Sequence, residues 1–306
     1  MPELLVVGSV ALDSVSTPFG TVCEALGGSA TFFSYAASFF TGVRLVATVG
    51  EDFPREHLEL LRGRGVNLES LQVSKGRTFR WTGEYGYDLN EARTLDTQLN
   101  VFADFKPVLT PELRRIPYVF LANIDPVLQL DVLHQMAKRP QLVALDTMNF
   151  WIRGKREALQ RVLGEVDVVT INDGEARELA GEPNLVRATR AITAMGPQTV
   201  VVKRGEYGAL MFCDGAFFMV PAYPLDSVYD PTGAGDTFAG GFVGYLAAMD
   251  RVDAATMRRA IVYGSVMASF AVEDFSLNRL TRLTSDEIGQ RYEQFGDLTR
   301  VETARR

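Results

Sequence analysis

The pattern of apolar and polar residues predicts short buried strands that alternate with helices. The apolar run Leu4–Val7 ends at Gly8, and a second strand is predicted over Val43–Val49, before a helix at His57–Arg62. Mostly apolar runs of this length are typical of strands covered on both faces of a parallel sheet. From Tyr118 onward, segments of helix length separate further strands, which are predicted at 118–122, 142–145, 167–171 and 199–203.

The segment around residue 80 has a different pattern. Between Thr78 and Val101, the aromatic residues Phe79, Trp81 and Tyr85 alternate with polar residues. A period of two predicts antiparallel hairpin strands with one solvated face. A parallel core does not need such a segment. We therefore assign it to a small β-sheet that covers the functional site, called the lid below and formed by residues 12–26 and 74–103.

Taken together, these elements predict an α/β fold with a three-layer α/β/α core and a mostly parallel central sheet. The core is predicted to comprise residues 1–11, 27–73 and 104–306. Polar residues collect after successive predicted strands, which is where open α/β sheets bind their ligands.

The most informative stretch is Asp230–Gly241, with the sequence DPTGAGDTFAGG. It predicts a tight turn followed by a helix, because Phe238, Phe242, Leu246 and Met249 recur at helical spacing. Glycines in the turn let a ligand approach the backbone. The first N–H groups of the helix and its positive end then form a binding site for phosphate.

Asp236 lies in the first turn of this predicted helix. A carboxylate in that position could simply stabilise the positive end of the helix. Beside a polyphosphate, however, it would repel the ligand. A general base that takes a proton from an attacking hydroxyl group gives this residue a chemical role.

The stretch DPTGAGDTFAGG resembles the C-terminal signature of the PfkB, or ribokinase-like, family of carbohydrate and nucleoside kinases. It is not a Walker A loop, because no Gly-Lys-Ser/Thr follows the glycines. The resemblance runs over nearly the whole chain. It implies that ATP, with Mg²⁺, donates its γ-phosphoryl group to a hydroxyl of a sugar, polyol or nucleoside. It also implies that Asp236 is the base and that the N–H groups of Gly233, Ala234 and Gly235 form an anion hole.

The resemblance also assigns residues to the acceptor side. Asp13 follows the first predicted strand and matches a family aspartate that binds substrate hydroxyls, although the residues alone also allow a solvated turn aspartate. Gly27 and Gly28 match a Gly-Gly motif that closes on the sugar. Phe32 occupies a position where many sugar kinases carry Asn, which argues against ribose. Further acceptor candidates, after later strands, are Asn123 and Asn149.

On the nucleotide side, Asn172 and Glu175 resemble the family's Asn-x-x-Glu motif, in which the glutamate acts on Mg²⁺ through water. The same two residues would also form an ordinary helix cap. Lys203 stands where the family has the Thr of a Thr-x-Gly motif along ATP; it either pairs with a phosphate or extends its charged end to solvent. The resemblance further implies nucleotide contacts at Gly205, Gly208, Thr232 and Ser265, and a monovalent cation such as K⁺ near Asp230.

Composition and charge narrow the class of protein. The formal net charge of −7 over 306 residues argues against a nucleic acid or an anionic membrane as the main partner. The two cysteines make neither a disulfide framework nor a metal cluster, which predicts a cytoplasmic protein. The N-terminus has no basic region and is interpreted as a first strand rather than a signal peptide.

Alternatives to a sugar or polyol kinase stay open. A nucleoside kinase would use Phe32 or the lid aromatics to stack on a base, and a non-catalytic relative would only bind its ligand. A dinucleotide-binding oxidoreductase is disfavoured, because no Gly-x-Gly-x-x-Gly follows the first strand. The density of aromatic residues in Thr78–Tyr87 also predicts a homodimer that buries the lid.

Overall fold

A computed structural model describes residues 2–300, and these residues form two β-sheets with flanking helices. The strands are β1 (Leu4–Val7), β2 (Ala11–Thr17), β3 (Gly20–Gly27), β4 (Val43–Gly50), β5 (Val66–Ser74), β6 (Phe79–Tyr85), β7 (Ala92–Gln98), β8 (Tyr118–Leu121), β9 (Leu142–Asp146), β10 (Val168–Asn172), β11 (Thr199–Lys203), β12 (Ala209–Cys213) and β13 (Ala216–Val220). The helices are α1 (Ser29–Ala37), α2 (Arg55–Gly63), α3 (Pro126–Gln135), α4 (Asn149–Gly154), α5 (Arg156–Leu163), α6 (Asp173–Ala180), α7 (Leu185–Thr193), α8 (Ala234–Met249), α9 (Ala254–Ala271), α10 (Asn278–Thr281) and α11 (Ser285–Leu298).

The larger sheet has nine strands in the order β13-β12-β11-β10-β9-β8-β1-β4-β5. From β11 to β5 every neighbouring pair is parallel, and only β12 and β13 add antiparallel pairs at one edge. The predicted α/β fold with a mostly parallel sheet is therefore confirmed.

Alternation along the central strands divides the interior into two hydrophobic cores. In β1, Leu4 and Val6 belong to one core, whereas Leu5 and Val7 belong to the other. Both faces of this strand are covered, which is why its sequence is apolar without interruption. Helices α1, α8 and α9 pack on the first face, and α8 therefore begins at the sheet edge where the parallel strands end.

The smaller sheet has the order β3-β2-β6-β7. The β6–β7 hairpin is antiparallel, as the alternation predicts, but β6 pairs with β2 in parallel. These strands lie in the two segments assigned to the lid, except that Ala11 and Gly27 extend just past them. The parallel pairing joins segments distant in the chain, so the local pattern around residue 80 could not indicate it.

Several element boundaries differ from the predictions for identifiable reasons. Strand β5 was missed because Asn67, Glu69 and other polar residues interrupt the apolar pattern of this edge strand. The apolar run Ala260–Val272 predicts a helix, but α9 begins earlier because the Asp253 side chain accepts a hydrogen bond from the Thr256 N–H at 2.8 Å and caps the helix. Helix α11, which Thr284 caps, was also not predicted. The polar residues 301–306, for which the sequence predicts a frayed tail, lie outside the described residues.

No helix in residues 2–300 combines the length and apolar character needed to cross a bilayer.

Candidate active site

Helix α8 begins at a glycine that no other residue could replace without strain. Gly233 is the N-cap and has a φ of +73°. A Cβ atom there would lie 2.3 Å from Cγ of Phe32, whose ring packs against the loop from helix α1. The predicted phosphate loop is therefore in contact with helix α1, which follows the predicted Gly-Gly motif.

The loop leaves backbone donors available at the start of α8. The N–H of Ala234 donates to the carbonyl of Pro231 at 3.1 Å, so this predicted anion-hole donor is used within the turn. Across the part of the chain that the structure describes, the N–H groups of Gly233 and Gly235 have no protein acceptor. A phosphoryl oxygen could satisfy both groups.

Asp236 lies in the first turn of α8, inside a cluster of acidic residues. Burial raises the pKa of the Asp236 carboxyl well above its usual range, and the nearby Asp146 raises it further. Asp13 and Glu175 act in the same direction, whereas the positive charge of Lys203 opposes the shift. Such a carboxylate holds a proton more tightly than a surface aspartate does, as a general base requires.

Lys203 and Asp146 form an ion pair beneath this loop. Lys203 Nζ donates to Asp146 Oδ2 at 2.6 Å, and the hydroxyl of Thr170 donates to the same oxygen at 2.8 Å. Asp146 was not selected from the sequence. The available signal was its position at the end of a buried apolar strand, which is the feature that singled out Asp13.

Asn172 and Glu175 form the helix cap that was the alternative interpretation of their motif. The Asn172 side chain accepts from the Glu175 N–H at 2.8 Å, and Glu175 Oε2 accepts from the Asn172 N–H at 2.9 Å. Glu175 is nevertheless buried among charged groups. Burial raises its pKa to about 7, while Lys203 lowers it and Asp146 raises it. The cap therefore holds the Glu175 carboxyl group where its charge raises the pKa of Asp236.

Asp13, the predicted acceptor-binding residue, contacts the predicted Gly-Gly motif. Its Oδ2 accepts from the N–H of Gly28 at 3.2 Å. A Cβ on Gly27 would lie 1.9 Å from that oxygen, so Gly27 has to lack a side chain. Burial raises the pKa of Asp13 to about 7 despite this hydrogen bond, and the neighbouring Asp230 raises it further.

Asp230 holds two loops together at the start of the signature. Its Oδ1 accepts from the Thr232 N–H at 2.9 Å, and its Oδ2 accepts from the Ser276 N–H at 3.2 Å. Burial raises the pKa of this carboxyl as well. These two hydrogen bonds from backbone N–H groups explain why an aspartate can be buried at this position.

A small cleft opens between Asp13 and the signature loop. Its lining is largely apolar, with Asp13 and Asp230 as its charged residues; it is formed by Asp13, Val15, Val22, Ala25, Leu26, Phe32, Asp230, Thr232 and Ser276. Residues of β2, β3 and α1 thus face the signature loop across this space, which is called the acceptor cleft below because Asp13, the predicted acceptor-binding residue, lines it.

The lid contacts the signature loop and also the turn after β11. The Thr232 hydroxyl donates to the Tyr85 hydroxyl at 3.4 Å, and burial raises the pKa of Tyr85 to about 12. At the hairpin tip, Asn90 Oδ1 accepts from the N–H of Glu206 at 3.4 Å. A Cβ on Gly205 would lie 1.8 Å from the same oxygen. The lid therefore spans from the acceptor cleft to the turn after β11.

Other predicted residues lie apart from this cluster. Asn123 accepts a hydrogen bond from the indole N–H of Trp151 at 3.0 Å, and neither Asn123 nor Asn149 lines the acceptor cleft. Ser265 is buried on α9, which packs against α8. Gly208 has a φ of +82° in the turn after β11, where a Cβ would lie 2.1 Å from the Val220 carbonyl oxygen. This close approach gives Gly208 a structural reason to be glycine.

We expect Asp13→Asn to raise the melting temperature more at pH 8 than at pH 5. The pKa of Asp13 is about 7 in the fold against an ordinary value of 3.8, so the folded state binds its proton more tightly than the unfolded chain. Stability is consequently lost as pH rises through this interval, and Asn removes that loss. Thermal melting at the two pH values measures the effect, with the exposed Asp226→Asn as control. An equal change at both pH values would contradict the prediction.

Comparison with known proteins agrees with this geometry. The family model described as pfkB family carbohydrate kinase matches residues 2–281. A cytidine kinase from Thermococcus kodakarensis is 31% identical over 250 residues, covering 79% of this chain and 88% of that protein. A nucleoside kinase from Methanothermobacter thermautotrophicus is 27% identical over 289 residues, covering 89% of this chain and 90% of that protein.

The fold is also found in solved structures. A structure described as a ribokinase II from E. coli, in complex with ATP and Mg²⁺, has a TM-score of 0.78 at 19% identity. The superposition covers 96% of this chain and 100% of that one.

Proposed function

Because the chain belongs to the pfkB family of carbohydrate kinases, we propose that it transfers the γ-phosphoryl group of ATP to a hydroxyl group of a nucleoside. The observation that carries this choice of acceptor is the apolar lining of the cleft beside Asp13. The chemistry is a phosphotransfer to an alcohol, as in the named kinases to which the chain is similar.

The chemistry of the lining of this cleft favours a nucleoside over a free sugar. A sugar presents hydroxyl groups around most of its ring, and each one needs a polar partner when it is buried. Here the lining residues Val15, Val22, Ala25, Leu26 and Phe32 are all apolar, and Val22 and Ala25 keep partly exposed surface that a nucleobase can contact without loss of hydrogen bonds. The similarity to a cytidine kinase supports the same choice.

In this proposal the residues of the site divide the reaction among them. Asp13 accepts a hydrogen bond from a second hydroxyl and orients the acceptor. Asp236 takes the proton of the attacking hydroxyl as its oxygen bonds to the γ-phosphorus atom. The free N–H groups of Gly233 and Gly235 stabilise charge on the transferring group. The lid, through Tyr85, covers the acceptor and excludes water.

The site suits a Mg²⁺ ion whose ligands come mainly from ATP rather than from protein side chains. Within residues 2–300 no three side chains of the His, Cys, Asp and Glu types converge on a metal position. The buried Glu175 is suited to hold such an ion through water, and Asn172, Gly205 and Thr232 remain proposed contacts of the nucleotide. When bound, Mg²⁺ would neutralise charge on the phosphates. K⁺ near Asp230 and a cytoplasmic location stay predictions.

A coupled assay of ADP release over nucleosides, free sugars and polyols tests the acceptor. We expect the highest kcat/KM for a nucleoside and at least a roughly tenfold lower value for free ribose, because the apolar cleft contributes binding only to the base. Each acceptor is measured against an acceptor-free control that reports ATP hydrolysis. Fastest turnover of a free sugar or polyol would overturn the choice of nucleoside, and no turnover with any acceptor would favour a non-catalytic relative.

We also propose a homodimer formed through the lid, although the structure changes the reason for it. Tyr85 faces Thr232 of the same chain and Trp81 packs over Gly83, so these two aromatic residues are partly covered without a partner, whereas Tyr87 is 93% exposed. The outer strand β7, however, is a sheet edge whose residues are all exposed. A second copy can cover such an edge by strand pairing.

Leu95→Asp on β7 should shift this protein from dimer to monomer in sedimentation velocity at micromolar concentration. Leu95 is 50% exposed, so the substitution should spare the fold while placing a charge at the proposed interface. Met219→Asp, on the exposed edge strand β13 of the larger sheet, is the matched control and should stay dimeric. A monomeric native protein would contradict the proposal.

A further inference from the structure

Lys203 lies against the loop that is proposed to bind the transferring phosphoryl group. A Cβ atom built on Gly235 would be 3.0 Å from Lys203 Nζ. The ammonium group therefore reaches the first turn of α8, where the N–H of Gly235 has no acceptor among the described residues. The absence of a side chain on Gly235 leaves this space to the lysine.

A helix N-terminus is positive, so a cation beside it is unfavourable unless negative groups balance it, as Asp146, Asp236 and Glu175 partly do here. A lysine that only neutralised Asp146 could have been placed on any other side of that carboxylate. Its position beside the α8 N-terminus is favourable once an anion of higher charge lies between the two positive groups. The geometry of Lys203 is thus that of a phosphate ligand.

We propose that Lys203 is a catalytic residue, whose ammonium group contacts the transferring γ-phosphoryl group, and that Asp146 is the positioning residue that holds it there. This assignment rests on the proposed kinase reaction. It goes beyond a contact along ATP, because it places the lysine at the reacting group and gives a function to a residue, Asp146, outside the recognised motifs.

The step in which Lys203 acts can be written with its bonds. A bond forms between the acceptor hydroxyl oxygen and the γ-phosphorus atom, and the bond from that phosphorus to the β–γ bridging oxygen breaks. The bridging oxygen leaves with the electron pair on ADP, and the hydroxyl proton passes to Asp236. Lys203 stabilises the negative charge on the γ-phosphoryl oxygens throughout and neither gains nor loses a proton.

Asp146 keeps Lys203 available for this contact. Burial opposes the charge of Lys203, but the carboxyl groups of Asp146, Asp236 and Glu175 raise the pKa of its ammonium group, and Asp13 in turn raises the pKa of Asp236. The hydrogen bond of Lys203 goes to Asp146, which Thr170 fixes from the neighbouring strand. Without Asp146, Lys203 would be free to pair with Asp236 and block the base.

Three variants, measured with the best acceptor and saturating ATP, test the proposal. We expect Lys203→Met to lower kcat by about 10²–10³-fold, the usual loss when a group that stabilises transition-state charge is removed. Lys203→Arg should retain more activity than Lys203→Met. Asp146→Asn should lower kcat at least roughly tenfold.

The double variant Asp146→Asn/Lys203→Met separates catalysis from folding. It removes the ion pair as a unit, so Asp146 is not left without its partner and the chain should fold even where Lys203→Met alone does not. If Lys203 is catalytic, kcat of the double variant stays about as low as that of Lys203→Met. Recovery to within about twofold of the native rate would reduce the pair to a structural role and overturn the proposal.

Calorimetric binding of ATP and ADP provides a readout that needs no acceptor. Contact with the γ-phosphoryl group predicts that Lys203→Met weakens ATP binding more than ADP binding; equal weakening would overturn the assignment.

The acid limb of the profile of kcat against pH should also move to higher pH in Lys203→Met, because Lys203 lowers the pKa of Asp236. If the native protein turned over no acceptor, the proposed function would fail, while the comparison of ATP with ADP would still report on Lys203.

Discussion

Asp236→Asn is expected to lower kcat by about 10²–10⁴-fold, the range typical of a lost general base, while ATP binding is retained. The amide has the same shape as the carboxyl group, and the donors at Gly233 and Gly235 belong to the backbone. ATP is expected to bind at least as tightly, because the variant removes a negative charge near the γ-phosphate. Steady-state kinetics and calorimetric ATP titration measure the two effects.

Thermal stability distinguishes a general base at position 236 from a residue that only stabilises the N-terminus of the helix. The fold raises the pKa of Asp236 above its value in the unfolded chain. The native protein therefore loses stability as pH rises from the unfolded-state pKa through the folded-state pKa, because ionisation of this carboxyl group is less favourable in the fold. Asp236→Asn should therefore be more stable than the native protein at pH 8. If Asp236 only stabilised the helix terminus, Asn would lower stability by ~0.3–1 kcal/mol and spare the rate.

Asp286→Asn is the matched control, since Asp286 is also a carboxylate in the first turn of a helix, α11, but on the surface. It should show the small helix-terminus effect and no change in rate. Near-normal kcat in Asp236→Asn would contradict the mechanism.

Gly233→Ala is expected to lower both the free energy of unfolding and kcat/KM. The residue has a φ of +73°, and its Cβ would lie 2.3 Å from the Phe32 ring. Backbone strain and overpacking together predict a loss of roughly 2–4 kcal/mol. Any relief has to move either the ring or the loop that carries the donors, so kcat/KM should fall by about 10²-fold or more.

Urea unfolding and steady-state kinetics measure these losses. Gly289→Ala provides the control, because this glycine lies in α11 with open space around its Cβ position. The control should gain up to about 1 kcal/mol from helix propensity and leave kinetics unchanged. Similar behaviour of the two variants would contradict a constraint at Gly233.

Local sequence predicted the parallel strands of the larger sheet other than β5, together with the lid hairpin and the turn that begins α8. The uninterrupted apolar run of β1 arises because both of its faces are covered, and the glycines and helical spacing of 230–241 predicted a phosphate loop that feeds a helix. These are properties of adjacent residues, so periodicity and backbone constraints reveal them without a fold. The polar β5 escaped the same analysis because an edge strand need not be apolar on both faces.

The tertiary structure decided which side chains meet. Lys203 and Asp146 are 57 residues apart in sequence and form a pair because β9 and β11 flank β10 in the sheet and end at the same edge. Phe32 on α1 reaches Gly233 on the loop before α8, and the Tyr85 hydroxyl of the lid reaches Thr232. Strand order and the packing of distant elements determine these contacts. No local pattern records them, so the sequence by itself determined the glycine turn and the helix that follows it, while the fold decided which charged groups surround Asp236.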